Sequence, residues 1–203
     1  MVPSGQRIVI ALAAAALLAG CATHRVKEDA SSDRGNAPRE YLDQQTGATV
    51  TVVDKPLVFA RDRSERAANQ RDYITVLAAN VNRSGARDFV LITYVWSTLD
   101  PRYEPAQVDP DSLVVVADDR RIRLSANGKS SADLGIGRAI DAPKTGGAKP
   151  LAFRSDSATV RYIAAARHLE VQAKIGGAVI SYILWDDQRG ALDHFVRFLD
   201  GER

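Results

Sequence analysis

The segment from Phe89 to Trp96 constrains the fold more than any other part of this chain. All eight residues are apolar, aromatic or β-branched, so the segment is apolar on both faces. A strand of that kind lies at the centre of a sheet with both faces covered. An apolar, β-branched run from Tyr73 to Val81 precedes it, and the glycine-containing stretch 82–87 between them is typical of a hairpin turn. The sequence therefore predicts a buried central hairpin.

Further short strands and two helices are predicted around this hairpin. The strands cover residues 49–53, 56–60, 113–117, 122–124, 151–153, 169–175 and 178–185. One helix is expected to run to Ala166 from a cap at Asp156 or Ser157. The last helix is expected to be capped by Asp186 or Asp187, and it carries a core-facing stripe at i, i+3, i+4 and i+7, made of Leu192, Phe195, Val196 and Leu199.

The number of short strands and the local turns between them indicate the fold class. Strands that follow one another through short turns pair antiparallel, and several of them favour a sandwich. The sequence therefore predicts a mainly β protein, an antiparallel β-sandwich with one or two covering helices, including a C-terminal helix.

The N-terminus has the pattern of a secretory signal peptide. Arg7 precedes an apolar run of 13 residues from Ile8 to Gly20, and the run stops at Cys21, the only cysteine of the chain. A membrane-spanning helix needs about 20 apolar residues, whereas a charged start and a short apolar core are typical of a leader. A single cysteine also excludes an intrachain disulfide and a cysteine-rich metal cluster.

The end of this leader, Leu18-Ala19-Gly20-Cys21, resembles the lipobox of bacterial lipoproteins. The resemblance covers the leader and nothing beyond it. It implies that a signal peptidase recognises Leu18, Ala19 and Gly20 and cuts before Cys21, after the cysteine sulfur has received a diacylglycerol. The alternatives are an uncleaved signal anchor or an ordinary leader with a coincidental cysteine.

Three parts of the chain follow from this interpretation. Residues 1–20 are the signal peptide, residues 21–40 a flexible tether that begins with lipidated Cys21, and residues 41–203 a single β-rich globular domain. The tether is polar and turn-rich, without apolar periodicity. Ala22 follows the cysteine, where aspartate favours the inner membrane in lipoproteins of enteric-type bacteria. We therefore expect the lipid anchor to lie in the outer membrane and the domain to face the periplasm.

The sequence contains no recognisable catalytic, cofactor-binding or metal-ligating motif. Its three histidines, His24, His168 and His194, lack the spacing of zinc ligands, and no nucleophile-elbow motif surrounds a serine. The 27 basic and 25 acidic residues leave a net charge of +2, too small to indicate nucleic acid as a partner. We expect no enzyme activity, no cofactor and no metal.

Two long loops are candidates for binding. The first, 98–110, places three prolines around Tyr103, a residue type common at interfaces; the alternative is that Tyr103 packs back onto the sheet. The second, 127–149, contains five glycines and four basic against two acidic residues. A loop of that length is either functional, here toward anionic polymers or headgroups, or disordered. Its composition favours disorder.

These features lead to one main hypothesis and two alternatives. The main one is a non-enzymatic, lipid-anchored envelope protein whose β-sandwich binds or scaffolds other envelope proteins. The first alternative is a periplasmic carrier or sensor of a small apolar ligand held between sheet and helix. The second is a hydrolase that uses two carboxylates roughly 5–10 Å apart.

Overall fold

The structure, a computed structural model, describes residues 37–66, 68–98, 108–126, 130–144, 148 and 150–201. Within those residues the strands are β1 (Arg39–Asp43), β2 (Ala48–Val52), β3 (Leu57–Asp62), β4 (Arg71–Arg83), β5 (Ala86–Ser97), β6 (Val114–Ala117), β7 (Arg120–Arg123), β8 (Pro150–Ser155), β9 (Leu169–Ile175) and β10 (Ala178–Asp186). The helices are α1 (Ser157–Ala165) and α2 (Arg189–Asp200), and a 3-10 turn covers Pro110–Ser112.

The predicted central hairpin is confirmed. Strands β4 and β5 are 13 and 12 residues long and pair antiparallel along their whole length. Their turn is tighter than the predicted loop, because Ser84 and Gly85 both adopt positive φ angles, 51° and 91°, which suit a two-residue hairpin turn. The Asn82 side chain closes this turn by accepting a hydrogen bond from the Gly85 N–H at 2.9 Å. On its other edge β5 pairs with β8, so β5 is a central strand.

Strand β4 divides the sheet into two branches. One edge of β4 pairs with β5, and its other edge is shared by β2, opposite Ala79–Asn82, and by β3, opposite Arg71–Val76. Residues 53–56 form the bend between β2 and β3, where the Val53 N–H donates to the Ala78 carbonyl at 3.0 Å. Beyond β2 lies β1, whereas beyond β3 the order is β10, β9, β6 and β7.

Both faces of the central hairpin are covered. On one face, Phe89 of β5 packs edge-on against Phe195 of α2, with ring centroids 6.4 Å apart. On the other face, the hydroxyl of Tyr94 reaches the backbone of Ile140, in the segment between β7 and β8. A strand with apolar residues on both sides is therefore buried by a helix on one side and by an irregular segment on the other.

The described part of the loop 127–149 is ordered on the sheet, so the prediction of disorder is wrong for residues 130–144. Leu134, Ile136 and Ile140 are buried, with at most 6% of each residue exposed. Gly135 has φ +91°, and a Cβ there would lie 2.5 Å from Val81 Cγ1, so glycine allows the segment to approach β4 closely. Gly135 therefore serves close packing in the described part of this loop.

The two helices pack against each other. The N-cap of α1 agrees with the prediction, whereas the N-cap of α2 differs from it. Asp156 caps α1, as predicted, by accepting the Thr159 N–H at 2.7 Å. The N-cap position of α2 is Gln188, one residue after the predicted Asp187, and the Gln188 side chain makes no cap. Asp187 Oδ1 nevertheless accepts the N–H of Arg189, the first helical residue, at 3.1 Å. The Asp187 carboxylate also binds the Arg189 side chain, whose guanidinium donates to the Ala166 carbonyl at the end of α1.

The predicted fold class is confirmed: the protein is mainly antiparallel β, with two covering helices, one of them C-terminal. The ten described strands form one hydrogen-bonded network, and its separation into the two sheets of a sandwich stays a prediction. Strand β1, which the sequence did not predict, begins at Arg39, two residues before the expected start of the domain.

Candidate interaction surface

The outer side of β10 carries large apolar side chains in contact with solvent. Alternation along this strand buries Tyr182 and turns Val179, Ile183 and Trp185 outward, with 60%, 71% and 57% of each residue exposed. Strand β10 pairs with β3 on one edge and with β9 on the other. Ile183 is paired on both edges, whereas Val179 is paired only with Lys174 of β9, and Trp185 lies in an irregularity of the pairing with β3 between Leu184 and Asp186.

A row of apolar residues continues from β10 across three more strands. Ile183 lies opposite Ala60 of β3, Ala60 lies opposite Tyr73 of β4, and Tyr73 lies opposite Trp96 of β5. The rings of Tyr73 and Trp96 are stacked, with centroids 4.1 Å apart. Residues directly opposite one another share a face of the sheet. We call this surface the β10 face; it consists of Val179, Ile183, Trp185, Ala60, Tyr73 and Trp96, of which Ala60 and Tyr73 are buried, with 7% and 8% of each residue exposed.

Two polar contacts fix the orientation of its tryptophans. The indole N–H of Trp96 donates to Thr75 Oγ1 at 2.9 Å. The guanidinium of Arg71 lies over the ring of Trp185, 4.4 Å from the centroid, a cation–π geometry. Ordered aromatic rings lose little conformational freedom when a partner packs on them.

Strand β9 places a polar border beside the β10 face. Glu170 lies opposite Ile183 and accepts hydrogen bonds from Ser181 Oγ at 2.6 Å and from Gln172 Nε2 at 2.7 Å. Gln172 in turn accepts from Arg121 of β7 at 2.6 Å. An apolar centre with a polar border is the usual composition of a protein interface.

Beneath this face, on the inner side of the sheet, lies a buried ion pair. Arg63 Nη1 and Asp72 Oδ2 are 2.5 Å apart, and their side chains are only 12% and 5% exposed. No described residue donates a hydrogen bond to the second oxygen, Asp72 Oδ1. Burial, together with the nearby Asp72 carboxylate, raises the pKa of Tyr182 to about 12. Tyr182 is therefore neutral at physiological pH. The Arg63–Asp72 ion pair joins β4 to the residue that follows β3.

A second polar group joins β1 to the segment between β7 and β8. Arg138 lies over the ring of Tyr41, 3.9 Å from its centroid, and Arg39 binds the carboxylate of Asp141. These residues line a cavity of about 220 Å³. Arg39 is also 3.7 Å from Asp54, so this arginine has two carboxylates beside it, whereas Arg138 lies against the Tyr41 ring. We infer a structural role for the group.

Asp43 holds the same two elements together. Its Oδ1 accepts the N–H groups of Gln45 and Thr46 at 3.0 and 3.1 Å, and its Oδ2 accepts the Gly137 N–H at 2.9 Å. Burial disfavours the charged carboxylate, but these hydrogen bonds outweigh burial and lower the pKa of Asp43. The carboxylate thus fastens the β1–β2 turn to the irregular segment.

The residues that the sequence singled out are distributed as follows. Cys21, the recognition residues Leu18, Ala19 and Gly20, and the interface candidate Tyr103 lie outside the described residues, as does His24. His168 precedes β9 and donates its N–H to Asp118 Oδ1 at 2.9 Å, and His194 lies in α2. In the described part of the chain, no group of three or more His, Cys, Asp or Glu side chains could hold a metal ion.

The β10 face was not predicted, although the sequence carries a signal for it. Strand β10 has large apolar residues at both alternations, so its own pattern does not tell which side is exposed. The neighbouring β9 alternates cleanly, and its polar residues Glu170, Gln172 and Lys174 lie opposite Ile183, Ser181 and Val179. Pairing the two strands would have identified the exposed side.

Comparisons add no relative. The chain matches no known protein family, no curated protein and no solved structure. Among the described residues, no helix is both long enough and apolar enough to cross a bilayer.

Proposed function

We propose that this chain is a lipid-anchored envelope protein, without enzymatic activity, whose β-rich domain binds another envelope protein through the β10 face. The single observation that carries the proposal is the exposure of Val179, Ile183 and Trp185 along one side of a strand that lies between β3 and β9. The leader and Cys21 support the anchor, which places the domain on a membrane surface outside the cytoplasm.

The distribution of exposed apolar residues supports this choice of surface. Five large hydrophobic residues are more than about one third exposed in the described chain, and three of them are on β10. Monomeric proteins rarely expose several large apolar side chains side by side, and such patches mark interaction sites. Tryptophan is also the residue type most enriched at the energetic centre of interfaces.

A sheet face and a sheet edge bind partners differently, and the geometry here favours the face. β10 pairs with β9 over Ala178–Ile183 and with β3 over Ile183–Asp186, so only parts of its edges could accept an added strand, whereas its large apolar side chains lie on the face. Binding would therefore come from burial of Ile183 and Trp185, with Glu170 and Arg71 at the border giving orientation.

Site-specific photo-crosslinking in cells tests the proposed surface. A benzoylphenylalanine at position 183 should give one discrete adduct, and the same residue at Arg197, on the exposed side of α2, should give none. Trp185→Ser should reduce the adduct formed from position 179, while the free energy of unfolding stays within about 0.5 kcal/mol because the side chain is exposed. Equal adducts from positions 183 and 197 would contradict the proposal.

The anchor is tested separately. The wild-type protein should fractionate with the outer membrane. Cys21→Ser should abolish processing of the leader and incorporation of labelled fatty acid. Ala22→Ser serves as the matched control, since it leaves both the cysteine and the absence of aspartate unchanged. A Cys21→Ser protein that is still processed and still sediments with membranes would exclude lipidation at this residue.

A further inference from the structure

A polar groove separates the C-terminal end of α2 from the strands β1, β2 and β4. Its volume is about 260 Å³, and its lining includes Glu40, Thr51, Asn80, Asn82, Arg87 and Phe198. The groove lies on the helix side of the sheet, whereas the β10 face is on the opposite side. It takes no part in the proposed protein interface.

The floor of the groove contains a buried amide whose one hydrogen bond is long. Asn80 is only 2% exposed. Its Nδ2 donates one long hydrogen bond, 3.5 Å, to the Asp88 carbonyl. A hydrogen bond of that length is weak, and an amide carries two donor hydrogens and an acceptor oxygen, so Asn80 can take a further partner from the groove.

The sides of the groove add a donor, an acceptor and a hydroxyl. Glu40 accepts from Thr51 Oγ1 at 3.2 Å, which leaves its other carboxylate oxygen available. Arg87 makes one long hydrogen bond, 3.4 Å, from Nη1 to the Leu199 carbonyl. The Arg87 and Glu40 charges balance, so the groove carries no net charge from these side chains. An anionic ligand would bind Arg87 but would also meet the Glu40 carboxylate.

An aromatic wall completes the groove. Phe198 is 50% exposed although it belongs to a helix whose other large apolar residues face the core. An apolar wall beside convergent polar groups is typical of small-molecule sites.

We propose that this groove binds a neutral saccharide, one sugar residue at a time. Planar amide, carboxylate and guanidinium groups can each meet two neighbouring hydroxyls, and the apolar side of a sugar ring can lie on Phe198. The volume is below the 300–1,000 Å³ range of drug-sized pockets, which limits the occupant to about one ring. This binding is independent of the lipid anchor and of the β10 face.

Calorimetry with the full-length chain tests the proposal. The protein is kept in a zwitterionic detergent, because sugar-headed detergents would compete for the groove. The probes are glucose, N-acetylglucosamine and their β1,4-linked disaccharides, each up to about 10 mM, a concentration that reveals affinities as weak as millimolar. We expect at least one probe to bind, and Glu40→Gln and Arg87→Ala each to weaken it about tenfold or more.

Matched variants outside the groove make the result decisive. Glu65→Gln and Arg123→Ala remove the same kinds of charge at exposed positions elsewhere and should leave binding unchanged. Trp185→Ser should also leave it unchanged, which separates this site from the proposed protein interface. Absence of binding by all four probes, or binding that survives both groove variants, would overturn the proposal.

Discussion

The hydroxyl of Tyr94 makes two hydrogen bonds with the backbone of a single residue, Ile140. It donates to the Ile140 carbonyl at 2.7 Å and accepts the Ile140 N–H at 3.0 Å. Tyr94 is fully buried in the central strand β5, and its burial raises its pKa, so the hydroxyl stays protonated and able to donate. One side chain therefore satisfies both backbone groups of a residue that no helix or strand accommodates.

Tyr94→Phe should lower the free energy of unfolding by about 2–3 kcal/mol, since it leaves a buried N–H and a buried carbonyl without partners. Urea denaturation followed by circular dichroism measures the change. Tyr162→Phe is the control, because the Tyr162 hydroxyl makes a single 3.3 Å contact with Asp119 on the surface, and its removal should be silent. Equal effects of the two substitutions would mean that residue 140 is held by other contacts.

Gly135→Ala tests how closely the segment between β7 and β8 approaches β4. The new methyl group would clash with Val81 and would also strain a residue at φ +91°, so we expect a loss of about 2–3 kcal/mol in unfolding free energy. Gly47→Ala has a positive φ of +68° but open space around its Cβ, so only the backbone strain of about 1 kcal/mol applies. Thermal melting of both variants separates the clash from the strain.

Asp43→Ala should destabilise the protein by about 2–3 kcal/mol at neutral pH, because three backbone N–H groups lose their acceptor. Asp43→Asn keeps one side-chain oxygen and should cost less. The pKa of Asp43 is lowered by folding, so its contribution is complete above the ordinary carboxyl pKa, about 3.9, and is lost as the pH falls through the lower folded value.

The stability difference between the wild type and Asp43→Asn should therefore shrink below about pH 4 and remain constant above about pH 5. Urea titrations at several pH values measure this difference. A gap that grows on acidification would show that the carboxylate does not depend on its charge for these contacts.

Asp72→Ala should be among the most damaging substitutions, at roughly 3–5 kcal/mol, because it leaves the Arg63 guanidinium buried without its partner. Replacing both residues, as in Arg63→Met with Asp72→Leu, should cost less than Asp72→Ala alone. Glu65→Ala removes the exposed partner of Arg63 and should leave stability unchanged. Guanidinium denaturation ranks the three, and a double variant no better than Asp72→Ala would contradict the assignment of the cost to an unpaired charge.

The same pair is visible in the titration of Tyr182. Since the Asp72 carboxylate contributes to the raised pKa of this tyrosine, Asp72→Asn should bring the pKa below about 12 while burial keeps it above 10. Tyrosine ring signals in NMR spectra recorded against pH report the change residue by residue.

The sequence predicts most of the sheet because local patterning decides it. The local pattern is an alternation in β9, an apolar run in β4 and β5, and an apolar stripe in α2. For each of these patterns, only one secondary structure buries the apolar side chains. Strand β1 escaped prediction because Arg39–Asp43 contains only Tyr41 and Leu42 as apolar residues, and its register depends on β2. Strand β1 forms because it pairs with β2, and the local sequence pattern does not show this pairing.

The candidate sites are harder to predict for the same reason. The β10 face forms only when four strands place Ile183, Ala60, Tyr73 and Trp96 side by side. The groove requires the end of α2 to lie over β2 and β4. The cap of α2 shows a further limit: Asp187 has suitable chemistry, yet its carboxylate is engaged by Arg189, and Gln188 takes the cap position.

The forked sheet has a mechanical consequence. A chain held at Cys21 and bound through the β10 face would carry tension between these two points. The load enters at Arg39, the first residue of β1, which has one neighbouring strand, and reaches β10 through β2, β4 and β3. β1 would then be the first strand to bear the load, and the contacts of Arg39 with Asp141 and of Asp43 with Gly137 would resist its detachment.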